Sequence, residues 1–176
     1  SHMVKFLGQQ HCNVTTLDDL SSGHRDAVLH GQFVHGNLGD RAVLDQVLSQ
    51  GFDAVMHFAS FIQVGESVQH PDKYYLNNLT RTLGLMDAMR EHGVSRFIFS
   101  STAATFGEPQ YLPIDEAHPQ APINPYGRTK WMVEQALADY DRAYGFAHVI
   151  LRYFNAAGAD PQGQLGERHD PETHLI

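Results

Sequence analysis

Cysteine is almost missing from this chain: Cys12 stands alone among 176 residues, so no disulfide can close within it. Apolar runs are short, and none approaches the roughly 18 to 20 residues that a membrane-crossing helix needs, so no membrane association of that kind is expected. Positive charge is scarce as well. Lys and Arg number 12 against 20 Asp and Glu, a formal net charge of -8, and such a surface offers no basic stripe to neutralise a phosphate backbone. Nucleic acid is therefore not an expected partner. Histidine is abundant at 12 residues, but the spacings show no ligand pattern such as His-Glu-x-x-His, so no metal site is expected. A reducing, cytoplasmic setting fits these absences.

What is present is a chain that is 42% apolar, enough for one domain with a sizeable core. Five short apolar blocks recur along it: "NVTTLDDL" from Asn13, "FVHGNL" from Phe33, "DAVMHFAS" from Asp53, "SRFIFSST" from Ser95 and "AHVILRYFN" from Ala147. Helical patterns lie between them at Asp40 to Gln50, Pro71 to His92 and Pro125 to Tyr144, with Gly93 and Gly145 as left-handed caps after the last two. Runs such as Phe97-Ile98-Phe99 and Val149-Ile150-Leu151 suit strands buried on both faces of a parallel sheet. The pattern predicts an α/β fold, a doubly wound parallel sheet of Rossmann type. "SHMVKFLGQQHC" reads as a short helix entering the strand at Asn13, with Ser1-His2-Met3 either native or a tag remnant, and a strand is expected before it. The first strand of the fold is thus expected to be missing from these residues, and "DPETHLI" ends without a stop signal.

Three constellations carry chemistry. In "NPYGRTK", Asn124 suits a helix N-cap and Pro125 the first helical position, which places Tyr126 and Lys130 on one face, one turn apart. A phenol with a pKa of about 10 becomes a base near neutral pH only if that value falls by roughly 2 to 3, at about 3 to 4 kcal/mol, part of which a nearby ammonium can supply. Tyr-x-x-x-Lys alone arises often by chance. Its weight comes from "FIFSSTAATFG", an apolar strand that delivers Ser100, Ser101 and Thr102 to the carboxyl end of the sheet, where open α/β sheets bind ligands. A hydroxyl there can bond the oxygen that Tyr126 serves. Thirdly, the strand in "NVTTLDDLSSG" ends at Asp18 and Asp19, where a carboxylate can accept an adenosine ribose diol and repel a 2′-phosphate, favouring NAD over NADP. Asn37 and Leu38, and Phe58, Ala59 and Ser60, lie at two further strand ends, small enough in part for close cofactor approach.

These segments, with "YYLNNLTRTLGLMDAM", "HFASFIQVGESV" and "LRYFNAAGADPQGQLGE", resemble in order and over nearly the whole chain the extended short-chain dehydrogenase/reductase family, and within it the UDP-glucose 4-epimerases. The resemblance implies an NAD-binding Rossmann-type domain over residues 1–160, lacking its Gly-rich loop, and the start of a substrate-binding domain over 161–176. It implies an isomerase of galactose and carbohydrate metabolism, a homodimer at full length, that interconverts UDP-glucose and UDP-galactose through a transient 4-keto sugar. Tyr126 is then the base, Lys130 tunes it and holds the nicotinamide ribose, and Thr102 meets the substrate oxygen. Implied cofactor contacts are Asp18, Asn37, Leu38, Phe58, Ala59, Ser60, Asn77, Ser100 and Tyr153. Implied sugar-nucleotide contacts are Asn155, His174 and Leu175.

Departures also stand out. Asn37 replaces an Asp, Ile62 a cofactor-contacting Lys of some members, and Phe106 a Tyr. Related 4,6-dehydratases carry an Asp-Glu pair after the threonine, where this chain has Ala103 and Ala104, so water elimination is disfavoured. A non-catalytic NAD-binding scaffold and an epimerase of another UDP-sugar remain as alternatives. A polypeptide of these 176 residues alone is expected to be inactive.

Overall fold

The computed structural model describes residues 1–166 and 168. The chain divides into two compact units, residues 1–37 together with the described residues from 155, and residues 38–154.

In the first unit the apolar pattern of the opening residues does form a helix, α1 (His2–Gln9), followed by β1 (Thr15–Asp18), a 3-10 turn and β2 (Gln32–His35). The two strands are parallel, with Thr15 opposite Gln32 and Asp18 opposite His35. Gly31 is required between them: its φ is +79°, and a Cβ there would lie 2.1 Å from the Val14 carbonyl oxygen. Lys5 of α1 donates to both carboxylate oxygens of Asp160 at 2.7 and 2.8 Å, a buried pair that fastens the helix to the segment after 155.

The second unit holds α2 (Arg41–Leu48), β3 (Val55–His57), α3 (Val64–Gln69), α4 (Pro71–Tyr74), a π-helical turn (Tyr75–Thr80), α5 (Arg81–Glu91), β4 (Arg96–Thr102), α6 (Pro125–Tyr144) and β5 (Ala147–Tyr153). Its sheet is parallel in the order β3-β4-β5, with Phe97 opposite Val55 and His148, and Thr102 opposite Tyr153. Phe97, Phe99, Met86, Met89, Val133, Leu137 and Phe146 form the core beneath the helices.

The strands are all parallel and of Rossmann type, as the sequence predicts, and with the expected first strand absent from these residues they form two sheets. Among the described residues β1 pairs only with β2, and β3 only with β4. The helix expected over Pro71 to His92 is one helical run of three parts, with the π turn widening it in the middle. Helix α3 carries no clear apolar period and was not anticipated. Strand β5 is not buried on both faces as its apolar run suggests: Val149 is 51% exposed. Its neighbour across the ladder is Ile98, on the sheet face opposite the one where Phe97 and Phe99 meet the helices. Helices of this unit leave that opposite face partly open. Among the described residues no helix is long and apolar enough to cross a membrane, and no group of three metal-ligating side chains gathers.

Candidate active site

Helix α6 sets the site, and its start is fixed by several independent bonds. Asn124 caps it, its side chain accepting from the Gly127 amide at 2.8 Å, with Pro125 in the first turn. The Tyr126 amide donates at 3.2 Å to Ser67 Oγ of α3, a fully buried hydroxyl that itself donates to the Val64 carbonyl. Gly127 lets the helix close on the turn after β4, because a Cβ there would stand 2.5 Å from the Ala104 carbonyl oxygen. Gly145, at φ +66°, ends the helix in the left-handed conformation.

The second unit brings Tyr126, Lys130, Thr102, Ser60 and Ser100 together. Lys130 is almost wholly buried and donates to Ser60 Oγ at 2.8 Å and to the Ser100 carbonyl at 2.7 Å, with its ammonium 4.9 Å from the centre of the Phe99 ring. Burial outweighs the attraction of the Glu134 carboxylate one turn along and lowers its pKa to about 7. Burial acts on Tyr126 in the same sense, against charge, and raises its phenol, while the Thr102 hydroxyl pulls the other way. Thr102 in turn is held by the Ala104 amide, which donates to its Oγ1 at 3.1 Å. Tyr126 rests edge-on against Tyr74, with ring centres 6.5 Å apart.

The other residues expected at the cofactor are distributed along this unit. Phe58 and Ala59 are exposed after β3, and Ser60 accepts from Lys130. Asn77, on the π turn, donates to Asn78 and accepts from Arg81 at 3.0 Å. Leu38 follows β2 and is half-buried, and Tyr153 ends β5 partly exposed.

In the first unit, Asp18 closes β1 and accepts from the Leu20 amide at 2.8 Å. Asp19 accepts from the Ser21 amide at 2.9 Å and from the Asn37 amide group at 2.6 Å. Asn155 is exposed. His174 and Leu175 lie outside the described residues.

Several residues that shape the site escaped the sequence reading. Asn78 is fully buried and clamps the strand-end loop, accepting from the Phe61 amide and donating to the Phe61 carbonyl, both at 2.9 Å. His57 is buried between Phe97 and Phe99 and bonded to Thr82, with its pKa lowered to about 3 by burial and by the charge of Lys130. Ser67 and Glu134 complete the set. Glu134 had a visible signal, four residues beyond Lys130, whereas Ser67 and Asn78 act through chain segments distant in sequence.

A family model described as the NAD dependent epimerase/dehydratase family matches residues 1–173. The chain belongs to that family. Among its relatives is a UDP-glucose 4-epimerase of Rhizobium leguminosarum bv. trifolii, 51% identical over all of this chain and 54% of the relative. The crystal structure of UDP-glucose 4-epimerase from Brucella ovis in complex with NAD superposes with a TM-score of 0.97 at 51% identity, over 99% of this chain and 54% of that one. The corresponding enzyme of Bifidobacterium longum, in complex with NAD+ and UDP, gives 0.92 at 36% identity, over 96% and 53%. The chain thus spans about half the length of these members of the NAD dependent epimerase/dehydratase family.

Proposed function

We propose that this chain supplies the NAD-binding and proton-transferring part of a UDP-glucose 4-epimerase, with residues 1–160 as the cofactor domain and 161–176 entering the substrate domain. The observation that carries the reading is Lys130, buried and bonded to Ser60 and Ser100, on the helix that sets Tyr126 beside Thr102. The residues present fit NAD. Asp18 offers a carboxylate at a strand end, suited to a ribose diol and opposed to a 2′-phosphate, and Ala59 and Ser60 leave room for close approach. Asn37, Leu38, Phe58, Asn77, Ser100 and Tyr153 complete the proposed cofactor contacts. Asn155, His174 and Leu175 are proposed to meet the sugar nucleotide.

Bound NAD would take hydride from sugar carbon 4 and later return it to the other face. Tyr126 removes the proton from the 4-hydroxyl and gives it back, and Thr102 orients that oxygen. Because burial raises the phenol, Tyr126 becomes a base only with positive charge beside it. Protonated Lys130 supplies part of that charge, and NAD, when bound, would add that of its oxidised nicotinamide ring. The turn after Thr102 opens with Ala103 and Ala104, which move no protons, and this supports epimerisation over dehydration.

A cytoplasmic homodimer is part of the reading. Val68, Leu76 and Met132 are exposed apolar side chains on α3, the π turn and α6, and they are the proposed contacts to the second copy. The experiment supplies UDP-galactose, without added NADH, to the chain extended to its relatives' length. Formation of UDP-glucose is expected; release of a 4-keto-6-deoxy sugar, or no turnover with NAD bound, contradicts the proposal.

A further inference from the structure

Glu134 is 3% exposed, yet its carboxylate is fully engaged by three different segments of the second unit. Ser101 Oγ of β4 donates to Oε1 in a short bond, and Gln120, from the loop before α6, donates to Oε2 at 2.8 Å. Arg152 of β5 grips both oxygens, Nη2 at 2.7 Å from Oε2 and Nε at 3.2 Å from each, while its guanidinium lies 5.4 Å above the Phe106 ring. Phe106 packs edge-on against His118, which anchors the same loop through the Gln110 amide. The loss of a tyrosine hydroxyl at 106 is thus matched by an apolar, cation-facing position.

Resting on the proposed roles of Tyr126 and Lys130, we propose that Glu134 is a positioning residue for that pair: it locks the rotation of α6 against β4 and β5 and sets a fixed carboxylate one helical turn from Lys130. Residues four apart share a helix face, so locking Glu134 on Ser101 directs Lys130 to the backbone of Ser100. The groups that face Lys130 are few. On α6 they are Tyr126 and Glu134; on β3, His57, neutral because its pKa is about 3; after β3, the Ser60 hydroxyl; on β4, the Ser100 carbonyl and the Phe99 ring; on β5, Arg152 behind Glu134. Glu134 is therefore the anion that favours the protonated form of buried Lys130 against the cost of burial, and Arg152 is the cation that moderates it.

The test reads Lys130 directly. In the chain extended to its relatives' length and labelled at lysine Cε, the NMR signal of Lys130 is identified by its loss in Lys130→Met and then titrated. In Glu134→Gln the Lys130 midpoint is expected to fall by about one pH unit, roughly a tenfold change in its protonation equilibrium, because the attraction is gone and Arg152 remains. In Glu134→Gln/Arg152→Gln it is expected to recover part of that loss and lie between the single variant and wild type. An unmoved midpoint in folded Glu134→Gln, or a double variant lower than the single, overturns the proposal. Should the single variant not fold, the double variant decides alone, and its midpoint must lie below wild type; failure of both to fold makes Glu134 a core residue and also overturns it. The titration reads Lys130 whether or not the protein epimerises. If the midpoint moves and the basic limb of the pH–rate profile does not follow, it is the proposed role of Lys130 that fails, and the coupling stands.

Discussion

At the scale of residues, two buried bases control the pH response of the second unit. His57 is neutral when folded, its pKa near 3, while the unfolded side chain titrates near 6.5. The unfolded state thus binds the extra proton below that value, and stability falls as pH drops from about 6.5 toward 3. We expect His57→Gln, which can still donate to Thr82, to lose less stability between pH 7 and pH 5 than wild type, measured by denaturant midpoints. Lys130 works in the alkaline range. Its folded pKa near 7 lies below the unfolded value near 10.5, so the unfolded state holds more protons between them and stability rises with pH over that window. Lys130→Met should abolish this rise, and a rise of equal size in the variant would mean that another group causes it. Tyr126, Lys130 and Thr102 were legible in the sequence because one short helix start and one strand end carry all three. Ser67 and Asn78 were not, since a hydroxyl and an amide reveal nothing of the distant backbone they hold.

At the scale of elements, α6 is the part the sequence described best. Its N-cap at Asn124 and its left-handed end at Gly145 are local signals, and both ends lie where those residues put them. The run from Pro71 to Glu91 reads as one helix, but the π turn within it presents Asn78 to the loop after β3. The approach of α6 to β4 gives a sharp prediction. Gly127→Ala places a methyl against the Ala104 carbonyl, backbone against backbone, so the helix start must shift. A loss of about 1 to 3 kcal/mol in denaturant stability is expected, of the size seen for overpacking. Stability within a few tenths of wild type would mean that the helix start yields freely.

On the scale of the whole molecule, parallel pairing and the lack of the first strand were readable from apolar blocks spaced by helices, whereas the register of each pair was not, because it is set by chain segments far apart. The buried pair of Lys5 and Asp160 likewise joins residues 155 positions apart and left no trace in sequence pattern. Asp160→Asn should lower the melting temperature, since Lys5 would keep its charge in a buried site without its partner. The central claim is that Tyr126, set by α6 beside Thr102, moves the proton of the sugar 4-hydroxyl. The most direct measurement is the turnover of UDP-galactose by Tyr126→Phe in the chain extended to its relatives' length, with NAD content determined on the same sample. A fall of roughly 10² to 10⁴ with NAD retained is the expected result for a lost general base; turnover equal to wild type would contradict it.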